Sequence, residues 1–139
     1  MIQGKKEGEY KSYHKNGKLC EKCYFVNGKM EGKYEKWDID GYLKKEVRYI
    51  NGNEHGKMKE YHPNGKISEM VDYVDGLKHG KGLVYYQNGN LRQQCRYLNN
   101  HIEGSLNIYY ESGNFKECVN YVNGKREGEC KDYYQFDKF

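Results

Sequence analysis

Proline occurs once in the 139 residues and tryptophan once, and no apolar run approaches the ~20 residues needed to span a bilayer as a helix. Leucine, isoleucine and valine are too few to fill a thick interior, since only 36% of residues are apolar and 32% are charged. A conventional globule around a deep aliphatic core is therefore excluded. No block of one charge sign is present either. The net charge is +4 with lysines and glutamates interspersed along the whole length, which serves solubility and makes nucleic acid an unexpected partner. The start, Met1-Ile2-Gln3-Gly4-Lys5, has no apolar stretch of the secretory kind, so a soluble, cytoplasmic chain is expected. Five cysteines, an odd number at uneven spacing, suit a reducing compartment better than a disulfide framework.

What is present is tyrosine and glycine in strict register. Sixteen tyrosines carry most of the 15% aromatic content, too much for a disordered chain. Glycines at Gly8, Gly32, Gly56, Gly80, Gly104 and Gly128 recur every 24 residues, each followed five places on by Tyr13, Trp37, Tyr61, Tyr85, Tyr109 or Tyr133. A fixed period of this length marks a repeat architecture. Each unit holds two turn signals. The first is Asn16-Gly17, Asp40-Gly41, Asn64-Gly65, Asn88-Gly89 and Ser112-Gly113; the second is Asn27-Gly28, Asn51-Gly52, Asp75-Gly76, Asn99-Asn100 and Asn123-Gly124. Such pairs supply the positive φ angles of tight hairpins, and Asn100 substitutes for glycine while still tolerating the left-handed region. The lone Pro63 sits harmlessly beside a turn.

Between the turns the residues alternate with period two, as in Leu91, Gln93, Cys95 and Tyr97, which are expected to share one sheet face. Helices are excluded by the density of Gly and Asn. The expected fold is all-β: an elongated, twisted, single-layer antiparallel sheet of stacked β-hairpins, one domain over residues 1–139. It grows by roughly 10 Å per repeat, to a ribbon on the order of 50 Å. Tyrosine suits a thin sheet, because the ring is half covered while the hydroxyl stays wet. The aromatic of each unit is expected to lie across the bare backbone of its recurring glycine.

The run of Gly, five residues, Tyr-Tyr, two residues, Gly, with Leu two further on and then Tyr-Val-Asn-Gly, resembles the MORN repeat. It is most similar to the variant form of bacterial and giant-virus proteins, including YwqK-type antitoxin-like members. The resemblance covers essentially the whole chain. It implies an elongated sheet of hairpins used for protein contacts, no catalytic activity of its own, and in some members contact with acidic phospholipid.

Residue by residue, chemistry is hard to find. Cys20 and Cys23 stand three apart on a strand, on opposite faces, which suits neither metal chelation nor a disulfide. Cys23 and Cys95 share a column with Val47, Val71 and Val119, a place for small buried side chains, whereas Cys118 and Cys130 fall in less apolar, more exposed columns. His55 and His79, or His14 and His62, recur at repeat distances too long to share a metal ion. Glu21, Glu69 and Glu117 recur without the cleft a carboxylate pair requires. No catalytic, metal or cofactor site is expected.

One asymmetry stands out. The columns holding Ser12, His14, Lys36, Asp38, Glu60 and His62 in the first half hold Val84, Tyr86, Leu106, Ile108 and Tyr110 in the second. Tyr134 lies beyond, and Arg92 and Arg96 stand on adjacent strands. Aromatic and aliphatic residues flanked by arginine have the composition of a protein interface, expected here on the face opposite the tyrosine columns. Tyr133, Phe136 and Phe139 are candidates to cover the last edge or to meet a second copy. The expected function is a non-catalytic scaffold for a protein partner or for self-association. Alternatives are peripheral binding to acidic membrane through Lys5, Lys6, Lys29, Lys78, Lys125 and Arg126, weakened by Glu7, Glu31 and Glu127; antitoxin-like neutralisation of a partner protein; and capture of a small anionic or aromatic ligand between tyrosines.

Overall fold

The computed structural model describes residues 4–130, so Tyr133, Tyr134, Phe136 and Phe139 lie outside the described residues. The strands are β1 (Gly8–Tyr13), β2 (Leu19–Val26), β3 (Lys29–Met30), β4 (Gly32–Trp37), β5 (Leu43–Ile50), β6 (Asn53–Tyr61) and β7 (Ile67–Val74). They continue as β8 (Leu77–Tyr85), β9 (Leu91–Leu98), β10 (His101–Ile102), β11 (Gly104–Tyr109), β12 (Phe115–Val122) and β13 (Lys125–Glu129). All lie in one open antiparallel sheet in chain order, with the short β3 on β2 and β10 on β9. No helix occurs among the described residues.

The two turns of each unit differ in chemistry. At the second turn both central residues have positive φ, 51° at Asn27 and 82° at Gly28, and the same holds for Asn99 and Asn100 at 48° and 75°. The first turn needs only its glycine there. Gly17 N–H donates to His14 O and His14 N–H to Lys18 O, a three-residue loop in which Gly17 alone, at φ 86°, is left-handed. The expectation that the first-turn asparagines supply positive φ is thus corrected. Asn16 Oδ1 accepts from Lys18 N–H, and its Nδ2 donates 2.9 Å to Ile39 O of the next unit. Asn64 and Asn88 repeat both bonds. The side chain ties one repeat to the next.

Two bulges per unit set the faces. Tyr85 opposes Leu91 while Val84 opposes Gln93, so Arg92 is the extra residue, as are Cys20, Lys44, Ser68 and Lys116 in their units. Cross-strand partners share a face and Val84 and Tyr85 alternate, so Leu91 lies with Tyr85, opposite Gln93, Cys95 and Tyr97. The single face expected for Leu91 through Tyr97 is therefore broken at Arg92. A second bulge accompanies the recurring glycine: between Glu46–Lys59 and Arg48–His55 the β6 strand carries two extra residues, with Gly56 at φ 91°. The glycine is there for its left-handed backbone. A Cβ on Gly8, Gly32, Gly56 or Gly104 would meet nothing within 4 Å, so no ring lies over these positions as had been expected.

Ring cover occurs elsewhere, at Gly82. Its column holds Tyr10, Tyr34, Met58 and Leu106 in the other units, and a Cβ at Gly82 would stand 2.5 Å from Tyr97 Cε2. Tyr97 has leaned into the space. Gly82→Ala must push that ring out, and urea unfolding should register a loss of about 1–3 kcal/mol.

The core is one row wide. Cys23, Val47, Val71, Cys95 and Val119, the column expected to hold small buried side chains, are 1–6% exposed. Tyr34, Tyr49, Tyr73 and Tyr97 pack against Val47, Met58 and Val71, so tall rings on either side roof over a short aliphatic. This lets a single-layer sheet exclude water with few aliphatic residues.

The last hairpin departs from the pattern. Elsewhere the column residue opposes its counterpart, as Val71 does Gly82, but β13 carries one extra residue where the others carry two. Val119 opposes Glu129, and Cys130 thereby reaches Cys118, with Cα atoms 5.5 Å apart in a disulfide. Both cysteines are buried, at 6% and 4% exposure. The expectation that they are exposed, in a chain without disulfides, is overturned by this one-residue shift, which moves side chains to the other face. Cys20, Cys23 and Cys95 are free thiols.

Candidate interaction surface

The register relocates the expected interface. Val84 opposes Gln93, Leu106 opposes Val119 and Ile108 opposes Glu117, so these residues share the face of the buried column and of Tyr97, not the face opposite it. Leu106 is itself buried, at 8% exposure, and is removed from the candidate surface. Val84 and Ile108 are half-buried. Arg96 opposes Lys81 on the other face, away from the patch.

Two of the candidates, Tyr86 and Arg92, do come together, and Tyr110 repeats the arrangement one unit on. Arg92, freed by the bulge, stacks its guanidinium 5.6 Å from the Tyr86 ring centre, and Lys116 sits 5.7 Å over the ring of Tyr110. Tyr110 is 52% exposed. Tyr86 anchors the group, because its hydroxyl donates 2.7 Å to Tyr109 O of the next unit. His14 and His62 make the same reach through Nε2 to Trp37 O and Tyr85 O. These histidines join repeats. No group of three His, Cys, Asp or Glu able to hold a metal ion occurs among the described residues.

Residues whose role the repeat pattern had concealed lie at the second turns. Glu7, Glu31 and Glu103 accept through Oε1 from the N–H of Asn27, Asn51 and Asn123, at 2.7 to 3.0 Å. A carboxylate at one interval and a turn amide 20 residues on was the available signal.

Electrostatics keep the rings and thiols neutral. Burial, followed by the hydrogen bond to Glu21, raises the Tyr34 phenol well above its ordinary value. Burial with the bond to Glu46 pushes Tyr61 up to about 12, and burial with the neighbouring Cys95 thiol does the same for Tyr97. Burial also raises the Cys23 and Cys95 thiols, which makes them poor nucleophiles at neutral pH. Glu69 is raised by burial and then by the Glu60 carboxylate directly opposite.

An open sheet of hairpins, tied turn to turn and one side chain thick, defines a repeat protein that presents surface. The MORN repeat variant matches at residues 6–27, 54–75 and 78–99, so the chain carries MORN repeats of this variant type at three places. MORN repeats are generally found in scaffolds that bind proteins or membranes. No curated protein matches the chain.

Proposed function

We propose that this chain is a non-catalytic scaffold that engages a protein partner, or a second copy of itself, through the Tyr86–Arg92–Tyr110 surface. The observation that carries this reading is the pair of cation-capped rings at the second half of the sheet, with Tyr110 half exposed beside the half-buried Ile108. Aromatic rings and arginine on a rigid support give contact area at low entropic cost. Neutralisation of a toxin-like protein is one form such binding takes. The outer edge of β1, which ends the strand order, offers backbone groups for strand addition as a second route to self-association.

The test is Tyr110→Asp, a change at an exposed ring remote from Val71. Pull-down from the source cell and mass by light scattering should both lose the complex or dimer that the parent forms, with an unchanged β-sheet circular dichroism spectrum. A complex that survives the substitution removes this surface from consideration.

A further inference from the structure

On the face away from the buried column, one cross-strand pair recurs in every unit, and its charges follow an unusual order. Glu9 opposes Tyr24, Lys33 opposes Arg48, Lys57 opposes Asp72, Lys81 opposes Arg96 and Ser105 opposes Asn120. Only in the middle pair do the two opposing residues neutralise each other; Lys33 meets Glu35 of its own strand at 3.6 Å instead. Asp72 accepts 3.1 Å from Lys57 Nζ and 3.3 Å from the backbone N–H of Lys81, next to the left-handed Gly80. In the units on either side, an arginine stands where Asp72 would be. Like charges placed directly opposite repel. Among the described residues, no carboxylate forms an ion pair with Arg48 or Arg96.

Crevices open at both arginines, two repeats apart. The first, about 240 Å³, is lined by Lys33, Arg48, Lys57 and Lys59 with Glu46, which is already bonded to Tyr61; Lys33 is paired with Glu35 and Lys57 with Asp72, which leaves Arg48 and Lys59 without an ion pair among the described residues. The second, about 290 Å³, is lined by Lys81 and Arg96 beside Glu103, whose carboxylate is engaged at the Asn123 turn. Asn107 lines it as well, with a buried Oδ1 that has no hydrogen-bond partner. The middle unit displays the complement of these crevices within the chain itself: a carboxylate held by a lysine and a backbone amide.

We propose that the crevices at Arg48 and Arg96 seat acidic side chains of an extended polypeptide partner running across the strands. This deepens the scaffold reading above and rests on it. Two repeats span four strand spacings, about 19 Å, and six residues of extended chain cover about 20 Å. The partner segment therefore carries carboxylates six residues apart. At the second and fourth residues between them, whose side chains also face the sheet, it is uncharged, because there it passes the Asp72 carboxylate.

The experiment uses a dye-labelled glycine-serine peptide with two aspartates six residues apart, followed by fluorescence anisotropy at low salt. Expected results are binding that falls at least about tenfold when aspartates are added at the second and fourth residues between the two, and a similar loss in Arg48→Asp with Arg96→Asp. The single Arg48→Asp chain should also melt no lower than the parent, since it removes the cation that stands opposite Lys33; this shows that lost binding is not lost folding. Three results overturn the inference: no binding to the parent chain, equal affinity for the peptide with the two added aspartates, or affinity unaffected by Arg48→Asp. Flotation with phosphatidylserine vesicles that depends on Arg48 while the peptide fails to bind likewise overturns it, in favour of a lipid headgroup. If the peptide fails while capture of a partner still depends on Tyr110, this inference falls and the scaffold reading stands.

Discussion

Replacing Cys118 and Cys130 by serine is expected to remove about 3 kcal/mol from the C-terminal hairpin, the loop-closure entropy of a bridge spanning 12 residues. The loss should be local. In a stacked repeat each unit touches only its neighbours, so the end frays while the middle of the sheet, around Val71, stays intact. Hydrogen exchange in parent and variant makes this visible: amides of β12 and β13 lose protection and those of β6 and β7 keep it. The variant also tests the register. Without the bridge nothing opposes a return to the pairing used elsewhere, in which Cys130 would face Val119 as Gly82 faces Val71. Protection of β12 and β13 unchanged from the parent in the serine variant would contradict the local loss.

Alkaline solution should unfold the whole sheet, and the sign follows from the tyrosines. Phenols in the unfolded chain ionise at their ordinary value near 10, but burial raises Tyr34, Tyr49, Tyr73, Tyr97 and Tyr109 in the folded sheet, with Tyr61 and Tyr97 reaching about 12. Above pH 10 the unfolded chain has released protons that the folded chain retains. Each further rise in pH therefore favours unfolding until the folded phenols also ionise, near 12 for Tyr61 and Tyr97. Below pH 10 these groups contribute no pH dependence. Circular dichroism and tyrosinate absorbance should change together in this window, and Tyr34→Phe should move the transition to higher pH. A β-sheet signal that persists after the tyrosinate absorbance is complete would sink the prediction.

Much of the architecture was legible because a 24-residue repeat leaves few alternatives. Asn-Gly pairs at fixed intervals admit hairpins and exclude helices, and the recurrence of Val47 and Val71 with Cys23 and Cys95 marks the buried column directly. The face of each remaining side chain was not legible, because it depends on bulges. The single extra residue at Arg92 leaves period two intact in the sequence while reversing which side follows, whereas the two beside Gly56 keep the phase. That is why Leu106, read as surface, is buried, and why Arg96 belongs to the opposite face from Tyr86 and Tyr110.

By itself the sequence determined the hairpins, their number, their order and the residues of the buried row. These depend on local backbone preference and on a pattern that every unit repeats, so neighbouring copies reinforce one another. Only the tertiary structure decided the pairing of Cys130 with Cys118, the asparagine and glutamate ties between units, and the meeting of Lys33 with Arg48. Each of these depends on cross-strand register, a relation between segments distant along the chain. A shift of one residue changes it without altering the composition or period of either strand.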